Sequence, residues 1–216
     1  MGTIKRGILG GFKNKVGSVI GSSWKGIDTM RSMPLSVANP KTAKQVTVRG
    51  NFKTLVTATS KVNSTLIRPY WARFAKQMTG ANAFIRENYD LFKNPAILYS
   101  ENAILSKGKL DMVTAVAVTD TVYPAPLEVS FGSDAGTYGD STDIVEAWGV
   151  LSNNASSNRT LEIKLMGATT RGVGGFDVPR TMWEEDDEFA LYLTVRRADG
   201  TLVSNSLFTE YVQHND

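Results

Sequence analysis

Between residues 41 and 66 the apolar and small side chains fall three and four apart. Val48, Phe52, Leu55, Val56, Thr59, Val62 and Leu66 make one stripe of an amphipathic helix. Thr42, just past Pro40, is placed to cap its N-terminus. Pro69 then breaks or restarts the helix, because it lacks the N–H that the next turn needs. Tyr70, Trp71, Phe74, Ala75 and Met78 form a second apolar face that Thr79-Gly80 is expected to end, and Phe84, Ile85, Leu91 and Phe92 suggest a third short helix before Asn94-Pro95. Aromatic residues at this spacing are expected to pack between helices rather than to stack on bases.

Beyond residue 107 the period changes to two. Residues 110–118 are rich in strand formers; Leu127, Val129 and Phe131 alternate with Glu128 and Ser130. Residues 144–151 hold Trp148, and Leu161, Ile163 and Leu165 alternate with Glu162, Lys164 and Met166. Phe189, Leu191, Leu193 and Val195 form the cleanest alternating run, and Ala198-Asp199-Gly200 turns the chain back into 202–212. So many short strands in one stretch point to an antiparallel β-sandwich. Residues 1–34 differ again: Gly2, Gly7, Gly10, Gly11, Gly17, Gly21 and Gly26 oppose a helix at about 1 kcal/mol each. They predict an arm, or short strands that need a partner surface. The expected class is α+β. It comprises a basic glycine-rich arm over 1–40, a small helical region over 41–106, and an acidic antiparallel sandwich over 107–216.

Charge sharpens this division. The net charge of +3 conceals 18 lysines and arginines against four acids in residues 1–110, and six against 17 in residues 111–216. Such asymmetry suggests contact with nucleic acid or with an oppositely charged face of a neighbouring subunit. The bland alternative is that the halves neutralise each other within one fold. The candidate contact residues are Lys5, Arg6, Lys13, Lys15, Trp24, Lys25 and Arg31 in the arm, with Lys44, Arg49 and Lys53 on the first helix. Basic side chains among glycines neutralise phosphates without reading sequence, and such binding falls steeply with salt. No zinc finger, RNA-recognition signature or helix-turn-helix is evident, so any nucleic-acid contact is expected to be unspecific.

Several chemistries find little support. Without cysteine there is no disulfide, zinc-thiolate site or thiol nucleophile, a usage that suits a bacterial cytoplasm or a virion. The sole histidine, His214, lies two residues from the end, which disfavours a catalytic triad or a histidine metal site. Gly7 to Lys13 lacks the Gly-Lys-Ser/Thr ending of a phosphate loop. The acidic run Glu184, Glu185, Asp186, Asp187 and Glu188 after Trp183 lacks the alternating ligands of a calcium loop, and reads as a solvated turn. Asp134, Asp140 and Asp143 are a weaker calcium candidate, and the carboxylates on which a minor hydrolase alternative would rest. Asn63, Asn154 and Asn158 head glycosylation sequons that are expected to be chance matches. The opening residues do not read as a secretory leader, Arg6 argues against myristoylation of Gly2, and no apolar run approaches the roughly 18 residues of a membrane span.

Two resemblances add to this. Residues 1–27, MGTIKRGILGGFKNKVGSVIGSSWKGI, resemble the opening of an uncharacterised family of Bacteroidetes proteins of similar length, which share a helical centre and a β-rich end. That resemblance implies architecture and no activity. The end of the chain resembles the last strands of a fibronectin type III or immunoglobulin-like sandwich: Val178-Pro179 before the Trp183 turn, then Tyr192-Leu193-Thr194-Val195, Asp199-Gly200 and Ser204-Asn205-Ser206. It implies a binding or spacer module. The expectation is therefore a non-enzymatic structural or assembly protein, with a phage or phage-like particle as one setting. It would form homo-oligomers or contact neighbouring structural proteins, and would need no cofactor or metal. A cytoplasmic protein that binds nucleic acid by charge is the alternative.

Overall fold

The computed structural model describes residues 2–3, 14–90, 102–119, 125–153, 160–179, 181 and 189–212. The acidic run after Trp183, Leu91, Phe92 and His214 lie outside them.

The N-terminal stretch forms short strands, as its glycines allow. β1 (Gly2–Thr3), β2 (Asn14–Val16), β3 (Val19–Trp24) and β4 (Ile27–Ser32) make an antiparallel sheet in the order β1-β4-β3-β2. Trp24 pairs with Ile27 across a two-residue turn in which Lys25 and Gly26 both take positive φ, 47° and 78°. This is the twist-compatible hairpin turn that glycine favours. The sheet has almost no interior: from residue 14 to residue 54 only Gly21 is buried.

Helix α1 (Ala43–Lys61) begins where expected, with Thr42 Oγ1 accepting from the Gln45 N–H. Only its second half is covered. Leu55, Ala58, Thr59 and Val62 are buried, whereas Val46, Val48, Phe52 and Val56 are exposed. The expected stripe is present as geometry, but nothing among the described residues covers its first two turns. Pro69 does not break the helix. From Asn63 to Ala72 the chain runs on as a π-helix, after Val62 C=O has accepted from both Leu66 N–H, 2.9 Å, and Ile67 N–H, 3.2 Å. The wider register carries the proline inside it and turns Leu66, Ile67, Tyr70 and Trp71 inward together. Thr79-Gly80 also corrects the expectation. It opens α2 (Gly80–Asn88), with Thr79 Oγ1 accepting from the Asn82 N–H at 3.1 Å. Glycine is required there, because a Cβ at Gly80 would stand 2.7 Å from the Ala72 backbone nitrogen.

The remaining strands are β5 (Thr114–Thr119), β6 (Leu127–Gly132), β7 (Ile144–Asn153), β8 (Thr160–Thr170), β9 (Gly175–Val178), β10 (Phe189–Arg196) and β11 (Leu207–Val212). They form two antiparallel sheets, β11-β10-β7-β8 and β5-β6-β9. The β6 alternation is as expected, with Leu127, Val129 and Phe131 inward. β10 differs: every residue from Phe189 to Val195 is buried. Ala190 and Tyr192 face a core shared with α1, the π-helix and α2, whereas Phe189, Leu191, Leu193 and Val195 face the three-stranded sheet. The helices therefore cover one face of the four-stranded sheet, leaving three layers with β10 and β7 in the middle. Each buried Val, Leu or Phe among them contributes about 1.5–3 kcal/mol.

The 102–110 segment ties helices to sandwich. Asn88 bonds the backbone of Phe84 and Ile104, Trp71 Nε1 donates to the Leu105 carbonyl at 2.7 Å, and Leu110 N–H donates to the Val203 carbonyl at 3.0 Å.

Candidate functional site

Register places the candidate residues of the arm. Lys15 pairs with Ile20, and Ile20 with Arg31. Cross-strand partners share a face, and residues two apart stay on it. Lys15, Ile20, Trp24, Ile27 and Arg31 thus lie on one side of the sheet. Lys15, Trp24 and Arg31 are exposed, Trp24 at 49%. Lys25 sits in the hairpin turn, its Nζ 5.5 Å from the Trp24 ring centroid, and it donates to the Met78 carbonyl of the body. Among the described candidates it thus reaches the body of the molecule. Lys44, Arg49 and Lys53 stand on the uncovered half of α1 beside the exposed ridge Val48, Phe52 and Val56, four residues apart. Lys5, Arg6 and Lys13 lie outside the described residues.

Residues 14–54 therefore combine seven lysines and arginines, one acid (Asp28) and a run of exposed apolar side chains. Charge, the glycine-rich arm and Trp24 drew attention to this half of the chain. The apolar part was missed at Met33, Leu35 and Val37, which alternate with Pro34 and Ser36 in a stretch that reads as a loop. Leu35 is fully exposed and Val37 is 77% exposed. The signal was the period of two, hidden beside a proline.

A pair of acids stands elsewhere. On the outer face of the three-stranded sheet Glu128 and Asp177 are exposed and directly opposed across β6 and β9. Like charges so placed repel each other.

Polar groups inside the molecule serve the fold. Arg171 is completely buried. Its guanidinium donates to the Asp134 carbonyl at 2.9 Å and to the Asp111 carbonyl at 2.5 Å, and lies 3.5 Å from Asp143 Oδ2. Asp143 Oδ2 also accepts from the Asp140 N–H, Asp140 accepts from Thr142, and Asp134 accepts from the Gly136 N–H. Hydrogen bonds from Thr142 hold the Asp140 carboxyl below its usual range. Thus the three acids of the calcium and hydrolase readings each have work within their own loop, and a cation already lies against Asp143. No group of three acids or histidines able to hold a metal occurs among the described residues. A second buried chain links Trp148 Nε1 to Thr194 Oγ1 at 3.0 Å, Thr194 to Tyr70 at 2.9 Å, Tyr70 to Glu146 at 3.0 Å, and Glu146 to Arg196 at 2.9 Å. Burial first, and the Glu146 charge next, push the Tyr70 phenol far above its ordinary range.

Among the described residues, clefts of about 330 Å³ include the following two. One lies beside the π-helix, where Arg86 and Lys107 both pair with Glu87 at 3.1 Å. The other opens between β5 and β11. No helix among the described residues is long and apolar enough to cross a membrane.

No curated protein matches this chain, and no solved structure does. Over residues 11–210 it matches DUF6266, and it belongs to that family of unknown function.

Proposed function

We propose that this chain is a non-enzymatic structural or assembly protein that joins neighbouring subunits through its N-terminal half. One observation carries the reading: over forty consecutive residues, 14 to 54, nothing but Gly21 is buried. The same stretch holds Val16, Trp24, Met30, Met33, Leu35, Val37, Val46, Val48 and Phe52 exposed. Monomeric proteins rarely leave so many large apolar side chains of one stretch in water, and large apolar patches mark interaction sites. The lysines and arginines of the same stretch give it a positive sign, and the exposed Glu128 and Asp177 of the outer sheet offer charges of the opposite one.

The strand order supports a fibronectin type III or immunoglobulin-like reading of the sandwich, a class used as binding and spacer modules. The Bacteroidetes resemblance suggests a bacterial setting. A phage-like particle or the bacterial cytoplasm is where we expect the protein to work. Amide hydrogen exchange at rising protein concentration tests the assembly reading. Residues 14–56 are expected to gain protection as concentration rises, and unchanged exchange there would overturn it.

A second reading rests on Lys15, Trp24 and Arg31 sharing one exposed sheet face. Bases stacked on a tryptophan between cations are held without sequence preference. Single-stranded RNA or DNA would then bind at low salt and be released at high salt. Absence of binding at low salt would remove this alternative.

A further inference from the structure

We infer that the cleft beside the π-helix binds a small amphiphilic anion, a carboxylate or phosphate carried on an apolar or aromatic body. The inference goes beyond the assembly reading and does not depend on it.

The cleft, of about 330 Å³, follows from how the chain leaves the π-helix. The wide register turns Tyr70 and Trp71 inward together. Trp71 is held there by its Nε1 bond to the Leu105 carbonyl and by an edge-on contact with Phe84, ring centroids 5.6 Å apart. The chain then turns back, with Gln77 at a positive φ of 56°, until Gly80 lies too close to Ala72 for any side chain. Phe74 and Met78 are left on this turn, Phe74 at 39% exposed, and with Trp71 and Ala83 they form the apolar part of the cleft lining. π-Helical turns are rare and recur at functional sites.

The other part of the lining is cationic. Lys76 comes from the turn, Arg86 from α2 and Lys107 from the 102–110 segment, so the fold brings together charges that lie far apart along the chain. One acid, Glu87, stands among them, and Arg86 and Lys107 each place a nitrogen 3.1 Å from it. One carboxylate against three cations leaves an excess of positive charge. A guanidinium carries five N–H donors and an ammonium three, so both side chains keep donors for a second oxyanion. Lys76 makes no ion pair among the described residues, and Lys25 adds a further cation by donating to the carbonyl of Met78. An inorganic anion alone would leave Phe74 and Met78 in water, and an apolar molecule alone would leave the cations unanswered. A ligand with both parts meets both. The volume lies at the low end of ligand pockets, roughly 300–1,000 Å³, which suits a single ring or a short chain with its head group.

Phenyl phosphate and benzoate are titrated separately into the full chain, with inorganic phosphate and benzyl alcohol as the anion and the ring alone. The methyl resonances of Ala75, Met78 and Ala83 report on the cleft itself and leave the exposed arm out of the reading. At least one amphiphile is expected to shift them saturably, and which of the two binds tighter identifies the head group. Either half alone should bind at least tenfold more weakly. An Arg86→Gln/Lys107→Gln chain should lose at least tenfold in affinity, and it is expected to fold because those side chains are 63% and 61% exposed. No saturable shift with either amphiphile would overturn the inference, as would equal binding by the double variant or by either half alone. Shifts at these methyls that grow with protein concentration in the absence of any ligand would place a second copy in the cleft and overturn it too. The assembly reading is measured by solution mass and stands or falls separately.

Discussion

At Arg171 a guanidinium has been taken wholly out of water to hold the loop between β6 and β7 against the start of β5. It does so through two carbonyls and the Asp143 carboxylate. Arg171→Met leaves the Asp143 charge buried without its cation. It is expected to cost about 3–5 kcal/mol in urea unfolding, and adding Asp143→Asn is expected to recover much of that. Tyr70 makes a different prediction, because its proton is retained by the fold. A folded pKa above the unfolded one gives stability that is complete below about pH 10 and lost as pH rises further. Tyr70→Phe should cost about 1.5–3 kcal/mol at neutral pH, through the lost bond to Glu146. It should also flatten the decline of stability above pH 10 relative to wild type, and an unchanged alkaline slope would contradict the assignment. Tyr70 was legible as part of an apolar face but not as a polar link, and Arg171 does not announce itself at all. Arg171 follows a run of threonines, and its partners at 111, 134 and 143 lie far away along the chain, so no period could have linked them.

Elements were more legible than the packing between them. The three-and-four spacing that predicts α1 is a property of the helix alone, and so is the Thr42 cap. Which part of the stripe is covered depends on where the sheet ends. Leu55→Ala is therefore expected to cost about 2–5 kcal/mol. Val48→Gln, about two turns earlier on the same stripe, should stay within about 0.5 kcal/mol for the isolated chain. Thermal or urea unfolding of the two variants checks the boundary. The π-helix was hidden because Pro69 normally stops an α-helix, and a register of five cannot be read from spacing that also suits four. β10 was misjudged for a related reason: alternation reports one buried face, and the second became buried only because Ala190 and Tyr192 meet the helices. Gly108 marks another close approach. A Cβ there would stand 1.9 Å from the Val203 carbonyl oxygen. Gly108→Ala is expected to push the 102–110 segment off the sandwich and lower stability by about 1–3 kcal/mol.

Across the whole molecule the helical layer and the sandwich share one core, so they are expected to unfold in a single transition. The N-terminal sheet shares little of it. The two charge blocks were visible in the sequence, and in the fold exposed lysines and arginines stand on the arm and α1 while Glu128 and Asp177 stand on the outer sheet. What charge could not convey is that the basic half is also apolar and uncovered. The account therefore stands on solution mass. It is measured by light scattering across a range of protein concentrations, at low and high salt, with absorbance monitored for nucleic acid. The account predicts a defined multiple of 23.6 kDa, free of nucleic acid, that persists where exposed ion pairs are screened. A 23.6 kDa monomer at every concentration would contradict it, and a monomer carrying nucleic acid that salt strips away would put the second reading in its place.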